Sequence, residues 1–266
     1  MSYLKTKENK LKEIIAQYDD MVLGFSGGVD SSLLALAAQE ELEDKFFAVI
    51  VNSQFYPSSE LKEAELFAKK HKIKYTILDV DVLADPLVKV NSPQRCYYCK
   101  KKIFGLIKSL AADRGFSCVA DGTNVDDAQV YRPGSRALQE LGIVSPLQEA
   151  GLTKFEIRTM LRQRREPVSQ KPALACLASR IPYGEELTEE HLHRVERAEA
   201  MLRRFGWQQL RVRSHGDLAR LEIGQNDFAQ FSKESFRKEV TQLLEQAGFK
   251  FVTLDLKKYR MGSFDK

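Results

Sequence analysis

The chain has 266 residues, 43% hydrophobic and 29% charged, so it can bury a substantial core as one domain or two. Its net charge of +4 is mild, and nucleic acid is not indicated by it. No apolar run approaches the ~20 residues a membrane span needs, so a soluble, cytoplasmic protein with no membrane partner is expected.

Residues 1–18, MSYLKTKENKLKEIIAQY, read as a charged amphipathic helix without the apolar centre of a signal peptide. From residue 21 to about 150, short apolar runs (MVLGF, FFAVIVN, KYTILDV, SCVAD) alternate with helical patterns (SLLALAAQEELE, SSELKEAELFAKKHK, CKKKIFGLIKSLAADRG). Strand and helix alternating in this way predict an α/β fold: a parallel sheet with helices on both faces, which binds ligands at the carboxyl ends of its strands. Beyond residue 151, TKFEIRTMLRQR reads as a helix, and EPVSQKPALACLASRIPYGEE follows without a regular period. So long an irregular segment is either a linker or carries function. A helix (TEEHLHRVERAEAMLRRFG), two strands (QLRVRSH, LARLEIG), a helix up to Gly248 and a last strand (FKFVTLDL) complete the chain. The expected division is a domain over 1–184 and a small α+β C-terminal domain over 185–266.

The stretch SGGVDSS, Ser26 to Ser32, follows the first strand and opens the first helix of the sheet region. Gly27 and Gly28 let backbone approach an anion with no Cβ in the way. Amides at the start of the next helix, with its dipole, bind negative charge. Ser26, Ser31 and Ser32 add hydroxyls, and Asp30 makes sense beside phosphate if a Mg²⁺ lies between them. A plain Gly-Gly turn with an Asp/Ser cap is the bland alternative. The loop is neither a Walker A loop nor a dinucleotide G-x-G-x-x-G. It resembles the pyrophosphate loop of the N-type ATP pyrophosphatases, which include GMP synthetase, NAD synthetase, asparagine synthetase and tRNA thiolation enzymes.

That resemblance implies an enzyme that splits ATP between the α and β phosphates, transfers AMP to a substrate oxygen, and lets a nucleophile displace the AMP. The loop would hold pyrophosphate. Ser53, ending VIVNS, would meet the adenosine. In ADGTNVDD, Asp121, Gly122 and Thr123 would lie near the nucleotide, and Asp126 or Asp127 would give Mg²⁺ a second carboxylate beside Asp30. On the bland reading this run is only an Asp/Asn turn.

Four cysteines in a chain of this kind suggest thiols, a metal or catalysis rather than disulfides. Cys96 and Cys99 form C-Y-Y-C at a predicted helix start, one turn apart on one face. Cys176 sits in the irregular segment, four residues before Arg180. Cys118 lies in a short apolar strand and reads as packing. Three thiolates can hold a 4Fe-4S cluster with one iron left open to carry a sulfide. Zinc with three cysteines and a histidine (His71, His191, His193 or His215) is the structural alternative, though none lies at ligand spacing from a cysteine.

SGGVDSS, CYYCK, DGTNVDD…YRPG, KPALACLASRIPYG, LRVRSHGDLARLEI and FVTLDLKKYRMGS occur in the order of the LarE family, over nearly the whole chain. LarE enzymes are ATP-dependent sulfurtransferases of nickel-pincer cofactor synthesis. The resemblance implies adenylation of a carboxylate of a pyridinium-3,5-biscarboxylic acid mononucleotide, then conversion to a thiocarboxylate as AMP leaves. Cys176 matches the sulfur-bearing position. Some members sacrifice that cysteine to dehydroalanine. Others, with a C-x-x-C as here, are thought to use a 4Fe-4S cluster on the equivalents of Cys96, Cys99 and Cys176. A homo-oligomer is implied as well.

Such a substrate carries phosphate and carboxylates and needs cations. Arg211 and Arg213 alternate on one strand and share a face, and each guanidinium can grip an oxyanion in two places. A solvated strand face is the alternative. Arg180, beside Cys176, is a catalytic candidate to hold phosphate or the adenylate, and Arg132 and Arg260 are further candidates for substrate binding. Glu222 would balance Arg213 across the hairpin or bind a metal. The competing readings are a tRNA thiolation enzyme, which needs a strongly basic face, an ammonia-using synthetase, which leaves three cysteines unused, and a nucleotide sensor.

Overall fold

The computed structural model describes residues 3–128, 133–172, 176–207 and 209–259, so Arg132 and Arg260 lie outside the described residues. In chain order the helices are α1 (Tyr3–Ile15), α2 (Val29–Leu42), α3 (Ser58–Lys70), α4 (Pro86–Lys89), α5 (Arg95–Asp113), α6 (Val125–Ala128), α7 (Pro133–Glu140), α8 (Pro146–Glu149), α9 (Lys154–Gln163), α10 (Glu189–Leu202) and α11 (Glu234–Gln246). The strands are β1 (Met21–Gly24), β2 (Phe46–Asn52), β3 (Tyr75–Asp79), β4 (Val119–Ala120), β5 (Leu210–His215), β6 (Leu218–Ile223) and β7 (Phe251–Leu254). The chain forms two compact units: residues up to Val82 with Pro93–Leu174, and Leu83–Ser92 with residues from Ala175 onward.

The first unit is the expected α/β layer. Its four strands run parallel in the order β3-β2-β1-β4, with Val22 opposite Phe47 on one side and Val119 on the other. The chain steps outward from β1 to β3 and then returns to place β4 on the far side of β1. That reversal opens a crevice at the carboxyl ends of β1 and β4, where open α/β sheets bind their ligands.

Alternation along β1 assigns its two faces. Met21 and Leu23 join the core built with Leu11 and Ile15 of α1, Leu33 and Leu34 of α2, and Ile157 and Leu161 of α9. On the opposite face, a Cβ at Gly24 would come within 3.0 Å of Phe104 on α5, so glycine lets that helix approach the strand. Helix α2 buries Leu33 to Ala38 without a break, because the sheet and two helices enclose it. Each buried leucine there contributes ~1.5–3 kcal/mol.

The second unit has the expected small α+β character, but it begins at Ala175 rather than at 185 and takes in Leu83–Ser92. β5 and β6 form an antiparallel hairpin, and β7 adds parallel to β6. Leu192, Val195, Ala198 and Leu202 repeat at helical spacing and turn one face of α10 inward. Phe205, Trp207, Phe231 and Phe236 stack nearby with centroids 5.0–6.0 Å apart. The segment Leu83–Ser92 is drawn in through Asn91, whose amide donates to the carbonyl of Pro182 at 2.7 Å. Thus the R-I-P-Y-G turn after Cys176 is held from a distant stretch of sequence.

Among the described residues, no helix is long and apolar enough to cross a membrane.

Candidate active site

The first strand ends directly in the glycine loop. Gly27 has φ +64°, and a Cβ there would fall 2.8 Å from that of Ala64 on α3, so no side chain fits. Gly28 then starts α2 with no side-chain cap, leaving the first amides of a 14-residue helix without a side-chain acceptor. Around them, the Oγ atoms of Ser26 and Ser31 lie 3.1 Å apart, and the Gly28 amide donates to Ser26 Oγ at 3.3 Å. The Ser32 hydroxyl is fully buried and has no hydrogen-bond partner.

The loop after β4 lies against this helix start, since a Cβ at Gly122 would sit 3.0 Å from the Ser31 amide nitrogen. Asp121 is buried and saturated: it accepts from Ser145 Oγ at 2.6 Å and from the Thr123 amide at 3.1 Å, and pairs with Lys100 at 3.7 Å. Its carboxylate shapes the loop. Ser53 is buried at the end of β2, where its Oγ accepts the Phe55 amide at 3.4 Å.

Asp30 and Asp126 meet through a residue that sequence reasoning passed over. The Lys154 ammonium pairs with Asp30 Oδ2, while the Lys154 amide donates to Asp126 Oδ2 at 2.8 Å. Asp30 Oδ1 is buried with no hydrogen-bond partner. An orphaned carboxylate oxygen beside an open helix start fits a hard divalent cation arriving with phosphate. Lys154 is placed by the capping box of Thr153 and Glu156, and Lys7 of α1 pairs with that glutamate at 2.7 Å. The T-x-x-E pattern marks that helix start in sequence, though not the lysine's partner.

The thiols divide between the two units. Cys96 is exposed and Cys99 half-buried, both in the first turns of α5 as expected. Cys118 packs partly buried against the core, and burial pushes its thiol up to about 11, which keeps it protonated and inert. Cys176 belongs to the second unit, ahead of a 3₁₀ turn, and its carbonyl accepts from Arg180 Nη1 at 3.1 Å. Among the described residues, no three His, Cys, Asp or Glu side chains gather to hold a metal. The expected iron–sulfur ligand set, and the zinc alternative, are therefore not supported by this arrangement.

The second unit gathers a buried charge network instead of a solvated strand face. Arg180 is 2% exposed and meets Glu199 through two hydrogen bonds of 2.9 and 2.8 Å, so its guanidinium is turned to a carboxylate of α10. Glu199 on the apolar stripe of α10 was a readable but overlooked signal. Arg213 donates to Glu222 at 2.8 Å and to the Ser179 carbonyl at 2.6 Å, which settles Glu222 as its cross-hairpin partner. Arg211 stands opposite Glu222 in register, and its guanidinium lies 5.1 Å from the Tyr259 ring centroid. Burial first, then the charge of Arg180, hold Arg211 below the usual arginine range. A buried cation so placed is stabilised by an incoming anion.

The family model for NAD synthase matches residues 3–97, which span the glycine loop. An uncharacterized protein of Synechocystis is 38% identical over 99% of this chain and 98% of its own length. The pyridinium-3,5-bisthiocarboxylic acid mononucleotide synthase of Lactiplantibacillus plantarum is 34% identical over 98% of this chain and 95% of its own. An uncharacterized protein of Methanocaldococcus jannaschii is 30% identical over 95% of both chains. With the glycine loop at the β1–β4 crevice and a relative of this identity matched end to end, the chain belongs to the LarE-like family within the NAD synthase and N-type ATP pyrophosphatase superfamily.

Proposed function

We propose that this enzyme is an ATP-dependent sulfurtransferase acting on a pyridinium mononucleotide in nickel-pincer cofactor synthesis. The carrying observation is the uncapped helix start behind SGGVDSS, with the orphaned Asp30 oxygen beside it, in a chain matched end to end by the bacterial synthase. The loop amides and hydroxyls hold the β and γ phosphates of ATP. Asp30 would hold a Mg²⁺, which would supply shielding of the phosphate charge. A carboxylate oxygen of the substrate attacks the α phosphorus, forming the acyl adenylate and releasing pyrophosphate. AMP is then a good leaving group for a sulfur nucleophile. Arg211 and Arg213 supply the cations for the phosphate and carboxylates of the mononucleotide. The same proposal includes self-assembly into a homo-oligomer, which sedimentation reads directly.

Sulfur enters at Cys176. In the sacrificial route this cysteine attacks directly: its sulfur displaces AMP to form a thioester. A base then removes the Cys176 α-proton as the Cβ–S bond breaks, leaving dehydroalanine in the chain and the thiocarboxylate as product. The C-x-x-C pair in the first turns of α5 favours instead a cluster shared by Cys96, Cys99 and Cys176. Intact-protein mass after anaerobic turnover with ATP, Mg²⁺ and the pyridinium mononucleotide separates the two. Loss of one H₂S per product sulfur, mapped to Cys176, supports the sacrificial route. Unchanged mass with thiolated product, together with bound iron lost in Cys96→Ser, supports the cluster. No substrate-dependent ATP–pyrophosphate exchange would refute the reading as a whole.

A further inference from the structure

The glycine loop has a second anchor outside the residues so far given a role. Lys171 is nearly buried, its side chain 12% exposed, in the segment that follows α9. Its ammonium lies 2.6 Å from Glu60 and 2.7 Å from Glu63, both on α3, and donates to the carbonyl of Gly27 at 3.2 Å. The backbone of Lys171 is itself fixed, because Arg158 on α9 donates to its carbonyl at 2.7 Å and to that of Ser169.

The Gly27–Gly28 peptide decides whether the loop can hold an anion. A peptide between two glycines turns over with little steric cost, so its direction is set by the hydrogen bonds made at its two ends. In a trans peptide the C=O and N–H point to opposite sides. With the Gly27 carbonyl held by Lys171, the Gly28 N–H faces away from α3, toward Ser26 Oγ, its acceptor at 3.3 Å. Turned over, the same peptide would present a carbonyl oxygen to phosphate.

We propose that Lys171 is a positioning residue: by gripping the Gly27 carbonyl it locks the Gly28 amide toward the pyrophosphate oxygens. Glu60 and Glu63 neutralise the lysine and aim it. This rests on the loop being a pyrophosphate site, as proposed above. Lys171 also precedes Cys176 by five residues, so one segment of sequence both sets the anion loop and leads to the sulfur position.

The test is calorimetric titration with Mg-pyrophosphate, with denaturant unfolding alongside, on the full chain, Lys171→Met, Lys171→Met/Glu60→Gln and Lys171→Arg. Lys171→Met should weaken binding about tenfold to hundredfold, the worth of a charge-directed hydrogen bond. It should also destabilise the fold, since Glu60 is left buried without its cation. The double variant should regain stability but not affinity, and Lys171→Arg should regain affinity. Affinity that is unchanged in Lys171→Met, or that returns with stability in the double variant, would overturn the positioning role. Absence of Mg-pyrophosphate and Mg-ATP binding in the unaltered protein would instead remove the pyrophosphate loop itself, and this inference with it.

Discussion

Asp30 shows how one side chain can be read twice. In sequence it is an acid beside phosphate; in the structure it is half satisfied, with Oδ2 on Lys154 and Oδ1 buried and bare. Asp30→Asn keeps the shape and removes the charge that both a Mg²⁺ and Lys154 require. Substrate-dependent ATP–pyrophosphate exchange should fall by about two orders of magnitude, the scale seen when one preorganised electrostatic group is removed. Cys118 gives a prediction in pH. Its folded-state value of about 11 lies above the ordinary 9.0, so both states are protonated below pH 9. Above that, the unfolded chain ionises first and gains stability relative to the fold. Denaturant midpoints in reducing buffer should therefore decline between pH 9 and 11, and Cys118→Ala should flatten that part of the decline. An equal slope in the variant would count against burial as the cause.

At the scale of elements, the site exists because two strand ends and two helix starts, those of α2 and α9, converge. β1 delivers the glycine loop, β4 delivers Asp121 and Gly122, and the capping box of α9 delivers Lys154. Approach of α5 to β1 depends on a residue with no side chain. Gly24→Val pushes against Phe104 and Ile107 and should destabilise the fold by ~1–3 kcal/mol in denaturant unfolding, with little change if α5 were free to move. These strands and helices were legible from apolar runs and helical period, including the start of α5 at the C-Y-Y-C motif. Lys154 was not, because a lysine at a helix start gives no periodic signal; only its contact with Asp30 gives it meaning.

For the whole molecule, the candidate site residues are divided between the two units. The phosphate loop and the C-x-x-C pair lie in the first, and Cys176 with the arginine network in the second. Arg211→Met should then raise KM for the pyridinium mononucleotide by about 10- to 100-fold, the worth of a lost charged hydrogen bond, while direct ATP binding stays unchanged. A parallel loss of ATP binding would contradict that division. Saturating Mg-ATP should raise unfolding stability by ~2.7 kcal/mol at a hundred times its Kd, and Asp30→Asn should lose most of that gain.

By itself the sequence determined the α/β class, the glycine loop and its position at a strand end, and the family. Those depend on local order: period, glycine placement, and motifs read within a few residues. Tertiary structure alone decided which charges meet. Arg180 turns to Glu199, Lys154 to Asp30 and Lys171 to Gly27 and Glu60. These partners stand from 19 to 144 residues apart. No spacing rule connects them, because burial selects such pairs only after the chain has closed around them.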